Sequence, residues 1–190
     1  MKIIRTIGAA ALLLLLVVPS VLAQGAGIEW DILNQEVREL YRTGKYERAV
    51  VVAKKALQVA EQNVGPDHPA VATSLNSLGM LYRAQGQYAQ VEPLYKRSLA
   101  IWEKALGPDH PHVATSLNNL AFLYDAKGRY AQAEPLYKRS LAIREKALGP
   151  DHPDVARSLE NMAALYRATK RDGEAEKMEQ RAARIRAIRR

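Results

Sequence analysis

Residues 65–69 read Gly-Pro-Asp-His-Pro, and the same five residues return at 107–111 and at 149–153. Successive copies lie 42 residues apart. Aligned without gaps, residues 66–107 and 108–149 differ at only nine positions. A period of this length is typical of a stacked repeat array, in which each unit buries its apolar face against its neighbours. The repeat therefore favours a binding surface over an enzyme active site.

Each copy predicts two helices. In the third copy, apolar residues recur at spacings of three and four, through Val113, Leu117, Leu120, Ala121 and Tyr124. Gly128 follows and suits a left-handed helix end. A second stripe runs through residues 130–147, and Gly149 predicts its end. Asp151 is the expected N-cap of the next helix, with Pro153 in its first turn.

The same frame extends in both directions along the chain. We predict an all-α fold of four stacked antiparallel hairpins, or eight helices, at about 28–65, 66–107, 108–149 and 150–190. Small residues are needed where helices cross closely. Gly79, Ala121 and Ala163 hold equivalent positions on the first helices and are expected at these crossings.

The pattern Leu-x-x-Leu-Gly-x-x-Tyr at 75–82, with Leu-x-x-Leu-Ala-x-x-Tyr at 117–124, resembles a tetratricopeptide repeat. Ala133, Tyr137 and Ser140 continue the match on the second helix. The 42-residue period and the Asp-His-Pro loop resemble the kinesin-light-chain type of this repeat. The resemblance implies a right-handed α-solenoid whose concave groove is lined by the first helices.

By position, the resemblance implies a set of groove residues that would contact a protein or an extended peptide. These are Asn34, Gln35, Asn76, Ser77, Met80, Arg83, Asn118, Asn119, Phe122, Asp125, Asn161 and Arg167. Asparagine amides suit such a ligand because they both donate to and accept from a peptide backbone. The alternative is that the asparagines serve solvation and hydrogen bonds between helices.

The N-terminus has the layout of a secretory signal peptide. Lys2 and Arg5 precede an apolar run at residues 7–18, and Ala23 is a plausible cleavage point. We predict that residues 1–23 are removed, that the mature chain begins near Gln24, and that it is exported to the periplasm or secreted. The alternative is an uncleaved membrane anchor, for which the run is short. After cleavage, no stable membrane anchor is expected.

The chain carries a formal net charge of +8, with many arginines near the C-terminus. One interpretation is a patch for nucleic acid or anionic lipid. The other is helix electrostatics, because Asp172, Glu174 and Glu176 begin the last predicted helix and arginines end it. No aromatic residue stands among the arginines to stack bases. The second interpretation is favoured, and no nucleic acid partner is expected.

Catalytic and metal-binding patterns find little support in the sequence. There is no cysteine. His68, His110 and His152 occur once per repeat and lie too far apart to share an ion, so we interpret them as structural loop residues. No phosphate-binding loop or nucleophile motif is present. We expect no metal, no cofactor and no enzymatic activity.

Two otherwise identical segments differ at one position, which is Trp102 in one copy and Arg144 in the next. Trp102 is either a partner contact or a packing residue, and packing is favoured.

Taken together, the sequence predicts a non-catalytic scaffold that binds proteins or peptides. The alternative is a structural repeat unit that self-associates into homo-oligomers through the solenoid ends.

Overall fold

The computed structural model of the protein describes residues 27–188, which form eight α-helices and no strand. The helices are α1 (27–42), α2 (Tyr46–Val64), α3 (Pro69–Ala84), α4 (Tyr88–Leu106), α5 (Pro111–Ala126), α6 (Tyr130–Leu148), α7 (Pro153–Ala168) and α8 (Asp172–Ala187). The predicted all-α class is confirmed. The expected signal segment, residues 1–23, lies outside the described residues. Within them, no helix has the length and apolar character needed to cross a membrane.

Tight turns join the two helices of each hairpin. Gly44, Gly86 and Gly128 adopt left-handed φ angles of 71°, 72° and 69° in the first three turns. Lys170 holds the equivalent position in the last turn and adopts the same conformation, with a φ of 59°. Glycine enters this region without steric cost, whereas a residue with a Cβ is strained there.

The repeated histidine begins the first helix of each later hairpin. The Nδ1 atoms of His68, His110 and His152 accept hydrogen bonds from the backbone N–H two residues on, at 3.1, 3.2 and 3.1 Å. The structural interpretation of these histidines is confirmed. The expectation that Asp151 is the N-cap is wrong, because the cap is the residue directly before Pro153. Pro153 has no N–H, so the His152 ring accepts from the N–H of the following residue, Asp154.

Contacts divide the chain into two compact units, with the boundary inside α3 between Ser74 and Leu75. In the first unit, Leu33 of α1 packs with Ala56 and Val59 of α2 in a buried cluster. Trp30 packs against this cluster. Its indole Nε1 donates to Ser74 Oγ at 2.9 Å.

In the second unit, α5 packs against α6 and α7 against α8 as hairpins. Successive hairpins meet where α4 contacts α5 and where α6 contacts α7. Gly79 faces the ring of Tyr95, and a Cβ at residue 79 would collide with that ring. The predicted need for a small residue at this crossing is therefore confirmed.

Candidate peptide-binding face

The second unit exposes one side of each first helix. Three residues spaced by three lie on each of α3, α5 and α7, so each set shares one side of its helix. We call these nine residues the first-helix face: Ser77, Met80, Arg83, Asn119, Phe122, Asp125, Asn161, Ala164 and Arg167. All are half-buried or exposed. All but Ala164 were predicted from the sequence.

Side-chain contacts between successive first helices make this face continuous. The Arg83 guanidinium lies over the Phe122 ring, with Cζ 4.5 Å from the ring centroid. Farther along, Asn161 Nδ2 donates to Asn118 Oδ1 at 2.9 Å. Phe122 remains 38% exposed despite its contact with Arg83. An apolar ring in this setting is the clearest candidate contact on the face.

The predicted asparagines have several different environments. Asn76 Nδ2 donates to Ser116 Oγ at 3.2 Å, so Asn76, Asn118 and Asn161 all make hydrogen bonds between helices. The buried Oδ1 of Asn76 has no partner among the described residues. Asn119 is half-buried and shares the side of α5 that presents Phe122.

Asn34 and Gln35 belong to the first unit and are not part of this face. Asn34 is only 5% exposed, and its Nδ2 donates to the Trp30 carbonyl at 2.8 Å. The neighbouring Gln35 is exposed. Asn34 therefore lies beneath the surface, because its amide is used to hold α1 rather than to face solvent.

Two charged residues on the face differ in their pairing. Arg167 binds Glu179 at 2.9 Å and Asp172 at 3.0 Å. The hydrogen bond from Arg167 is the largest cause that lowers the pKa of Glu179. Asp125, at the equivalent position on α5, is half-buried, and burial raises the pKa of its carboxyl.

The hydroxyl of Tyr137, on α6, is influenced by two charged residues of this face. Tyr137 is almost fully buried, and its hydroxyl has no hydrogen-bond partner in the described part of the chain. Burial is the main reason that the pKa of Tyr137 is raised. The Asp125 carboxylate raises it further, while the Arg83 guanidinium opposes the shift.

The position of α5 is fixed by a carboxylate on the preceding hairpin. Glu92 accepts a hydrogen bond from the Tyr124 hydroxyl at 3.0 Å and binds Lys96 at 2.8 Å and Arg129 at 3.2 Å. The guanidinium of Arg129 also lies over the Tyr124 ring, 4.7 Å from its centroid. The pair with Lys96 is an i,i+4 contact within α4, whereas the other partners belong to the following hairpin.

The same arrangement recurs one repeat later and positions α7. Glu134 binds Lys138 at 2.8 Å and Arg171 at 2.7 Å, and it accepts from the Tyr166 hydroxyl at 3.5 Å. A tyrosine followed five residues later by arginine occurs in both repeats, at 124–129 and 166–171. This recurring spacing was the available sequence indication of the missed contacts.

Trp102 lies inside the protein rather than on a binding surface. It is 5% exposed, and its ring stacks on His112 of the next hairpin at a centroid distance of 4.4 Å. The packing interpretation is therefore confirmed. The rings of His110 and His112 also stack on each other, at a centroid distance of 5.2 Å. Burial, followed by the charge of His110, lowers the pKa of His112.

Two of the C-terminal arginines make contacts within the chain. Arg181 binds Glu145, and Arg186 binds Glu160 at 3.1 Å. These pairs join α8 to the helices before it. They are contacts between helices, which the helix-dipole interpretation of these arginines did not include.

Metal-ligating side chains do not gather at any point of residues 27–188. No group of three histidine, aspartate or glutamate residues there could hold an ion. The one place where two histidines meet is stacked against the Trp102 ring. This region therefore has the character of a packed junction between hairpins.

A family model described as tetratricopeptide repeat matches residues 40–104, 84–146 and 113–187. The chain belongs to the tetratricopeptide repeat family. Repeats of this family generally serve as protein-interaction scaffolds. The sequence-based assignment to this family is thus confirmed. No curated protein sequence matches the chain.

Solved structures of similar proteins include BtubC (BKLC) from P. vanneervenii, at 28% identity and a TM-score of 0.76. That match covers 84% of this tetratricopeptide protein and 63% of BtubC, so the chain spans less than two thirds of BtubC. A putative kinesin light chain with nearly identical repeats from Podosopora anserina matches at 26% identity and a TM-score of 0.73. The match covers 83% of this chain and 75% of that one. These neighbours confirm the kinesin-light-chain type of repeat.

Proposed function

We propose that this tetratricopeptide protein is a non-catalytic scaffold that binds a protein or an extended peptide along its first-helix face. Exposed Phe122, with Arg83 over its ring and Asn119 on the same side of α5, is the observation that carries the proposal. The ring offers apolar contact, and the amide can hydrogen-bond a peptide backbone. The proposed contacts are Asn76, Ser77, Met80, Arg83, Asn118, Asn119, Phe122, Asp125, Asn161 and Arg167.

Affinity capture tests the proposal directly. The mature chain, immobilised as bait, should retain a protein from the exported fraction of its host. The affinity of the captured protein is then measured by calorimetry. Phe122→Ala should weaken binding about tenfold or more, because truncating a central aromatic contact commonly costs about 2 kcal/mol.

Tyr88 provides a matched control for Phe122. Its ring is also exposed, at 40%, but it begins α4 and lies outside the first-helix face. Tyr88→Ala should leave the affinity nearly unchanged. A larger loss for Tyr88→Ala than for Phe122→Ala would move the binding surface to the second helices and contradict the proposal.

We further propose that the protein works outside the cytoplasm, without a cofactor. The support comes from the N-terminal sequence, where Lys2 and Arg5 precede the apolar residues 7–18 and Ala23. The same capture experiment depends on this point, because a cytoplasmic protein would meet a different set of partners.

Self-association is a second candidate function, favoured by two exposed isoleucines on α1. Ile28 and Ile32 are 61% and 60% exposed. They hold the repeat positions of His112 and Ser116. Those two residues contact the preceding hairpin in the second unit. The same side of α1 is therefore apolar and available to another molecule.

Light scattering separates the two functions. A monomer at all concentrations favours peptide binding, and a mass that rises with concentration favours assembly. Ile32→Lys should abolish such assembly, because it places a charge in the apolar contact. Retention of the assembled state by Ile32→Lys would exclude α1 as its interface.

A further inference from the structure

Asp125 is a half-buried carboxylate of the first-helix face that lacks a counter-ion among the described residues. Within residues 27–188, the Asp125 carboxylate makes no ion pair and no side-chain hydrogen bond. Arg167, its equivalent on α7, is instead neutralised by Glu179 and Asp172. A half-buried carboxylate has lost part of its hydration and gains more from an added cation than an exposed one does.

The nearest candidate cation on the face is already engaged elsewhere. Arg83 stacks on the Phe122 ring and has no guanidinium nitrogen within 4.0 Å of the Asp125 carboxylate. Lys127 and Arg129, which follow Asp125 in the chain, both bind Glu92.

Two further groups shape the surroundings of Asp125. The Phe122 ring is exposed one helical turn away on the same side of α5. The Tyr137 hydroxyl is buried and has no partner in the described chain, and the Asp125 carboxylate raises its pKa. The place therefore combines an unpaired anion, a second polar group without a partner, and an apolar ring.

We propose that Asp125 binds the side chain of a lysine or arginine in the peptide carried by the first-helix face. The cationic head pairs with the carboxylate, and the methylene stem packs along the Phe122 ring. This arrangement uses both halves of a long basic side chain. The inference rests on the proposed function and adds to it the chemical class of one ligand residue.

A phage-displayed library of random peptides, selected against the full chain after export, tests the inference. Selected peptides should share a lysine or arginine at one position. For the best of them, Asp125→Asn should weaken binding about tenfold or more, as expected for a lost charge-assisted hydrogen bond. Replacing the peptide lysine with norleucine should have the same effect. The two changes together should cost little more than either alone.

Asp109→Asn is the matched control for Asp125→Asn. Asp109 is also a carboxylate of the second unit, but it lies in the loop before α5 and pairs with Lys146 at 2.6 Å. Its replacement should leave the affinity unchanged. Selection against Asp125→Lys should in turn favour peptides with aspartate or glutamate at the shared position.

The possible outcomes distinguish this inference from the function on which it rests. If no peptide is enriched, the peptide-binding function itself is rejected. If peptides are enriched without a shared basic residue, the function stands and the role of Asp125 is rejected. If acetylation of the peptide N-terminus abolishes binding while norleucine does not, the recognised cation is the terminal ammonium and the inference is overturned.

Discussion

Trp102 and Arg144 occupy equivalent positions in successive repeats, and both are buried, at 5% and 3% exposure. Trp102 stacks on a histidine ring, and its Nε1 has no hydrogen-bond partner among the described residues. Arg144 instead donates from one guanidinium nitrogen to Ser158 Oγ at 2.5 Å and to the Asp154 carbonyl at 3.4 Å. Burial is the main cause that lowers the pKa of Arg144 to about 10. The same space in the fold thus accepts an aromatic ring or a charged side chain.

Arg144→Ala should lower the free energy of unfolding by about 2 kcal/mol, because the stem packing and the hydrogen bonds are both lost. Arg144→Met should cost less than about 1 kcal/mol, since it keeps the packing and removes the buried charge. Ser158 stays satisfied in both variants through its own hydrogen bond to the Asp154 carbonyl at 3.0 Å. Urea denaturation measures the difference. Equal losses of stability in the two variants would show that Arg144 stabilises the protein through its charge rather than through packing of its stem.

Gly79→Ala should destabilise the protein because its Cβ would collide with the Tyr95 ring. We expect a loss of about 1–3 kcal/mol, as for other overpacked sites, which outweighs the roughly 1 kcal/mol that alanine gains in helix propensity. Gly173→Ala in α8 is the control, since nothing lies within 4 Å of a Cβ there. It should be neutral or stabilising. Thermal unfolding followed by circular dichroism tests the pair.

Glu92 should make stability depend on pH between about 2 and the ordinary glutamate pKa of 4.5. The hydrogen bond from Lys96 is the largest cause that lowers the pKa of Glu92 to about 2, and burial opposes the shift. Because the folded pKa lies below the unfolded one, the contribution is complete above pH 4.5 and is lost as the pH falls. Glu92→Gln should therefore cost more stability at pH 7 than at pH 3.

Glu36→Gln is the control for this pH dependence. Glu36 is exposed on α1 and makes no ion pair in the described residues. Its replacement should change stability little at either pH. A cost of Glu92→Gln that is the same at pH 7 and pH 3 would show that Glu92 contributes through shape rather than charge.

His152→Ala should lower the free energy of unfolding by about 1 kcal/mol, as expected for the loss of a helix N-cap. The affected bond is the one that the His152 ring accepts from the Asp154 N–H at 3.1 Å. His152→Ser should retain most of the stability, because a serine hydroxyl can accept the same bond. Urea denaturation of the two variants checks this. A serine variant as unstable as the alanine variant would assign the role of the ring to packing.

Export predicts a defined N-terminus for the mature protein. Mass spectrometry of the exported chain should find Gln24 at or near its first residue, because Ala23 ends the signal-like segment. Recovery of the full-length chain from the cytosol would reject both the cleavage and the export.

The helices and the first-helix face could be predicted because both depend on local periodicity. Apolar spacing in residues 113–124 places a helix without knowledge of its partners. A 42-residue frame then aligns Met80 with Phe122, and Arg83 with Asp125, on one side of successive helices. Turn glycines were equally local, since their left-handed conformation is a property of the backbone at that residue.

The pairing of side chains could not be predicted because the partners lie far apart in the chain. Glu92 meets Tyr124 and Arg129, which follow it by 32 and 37 residues. Asn34 holds the same repeat position as Asn76 and Asn118, yet its Nδ2 donates to the Trp30 carbonyl within α1. The frame gives a residue its place on a helix, but the neighbouring side chains decide what it contacts.

Three serines at one repeat position accept hydrogen bonds from three different donors. Trp30 reaches Ser74, Asn76 reaches Ser116, and Arg144 reaches Ser158. Recombination between the nearly identical repeats 66–107 and 108–149 can remove residues 108–149 while keeping the reading frame. Trp102 would then hold the repeat position from which Arg144 donates to Ser158. Asp154 would replace His112, the residue on which the indole stacks. Copies that are almost the same in sequence are therefore not interchangeable, and the order of the hairpins is itself inherited information.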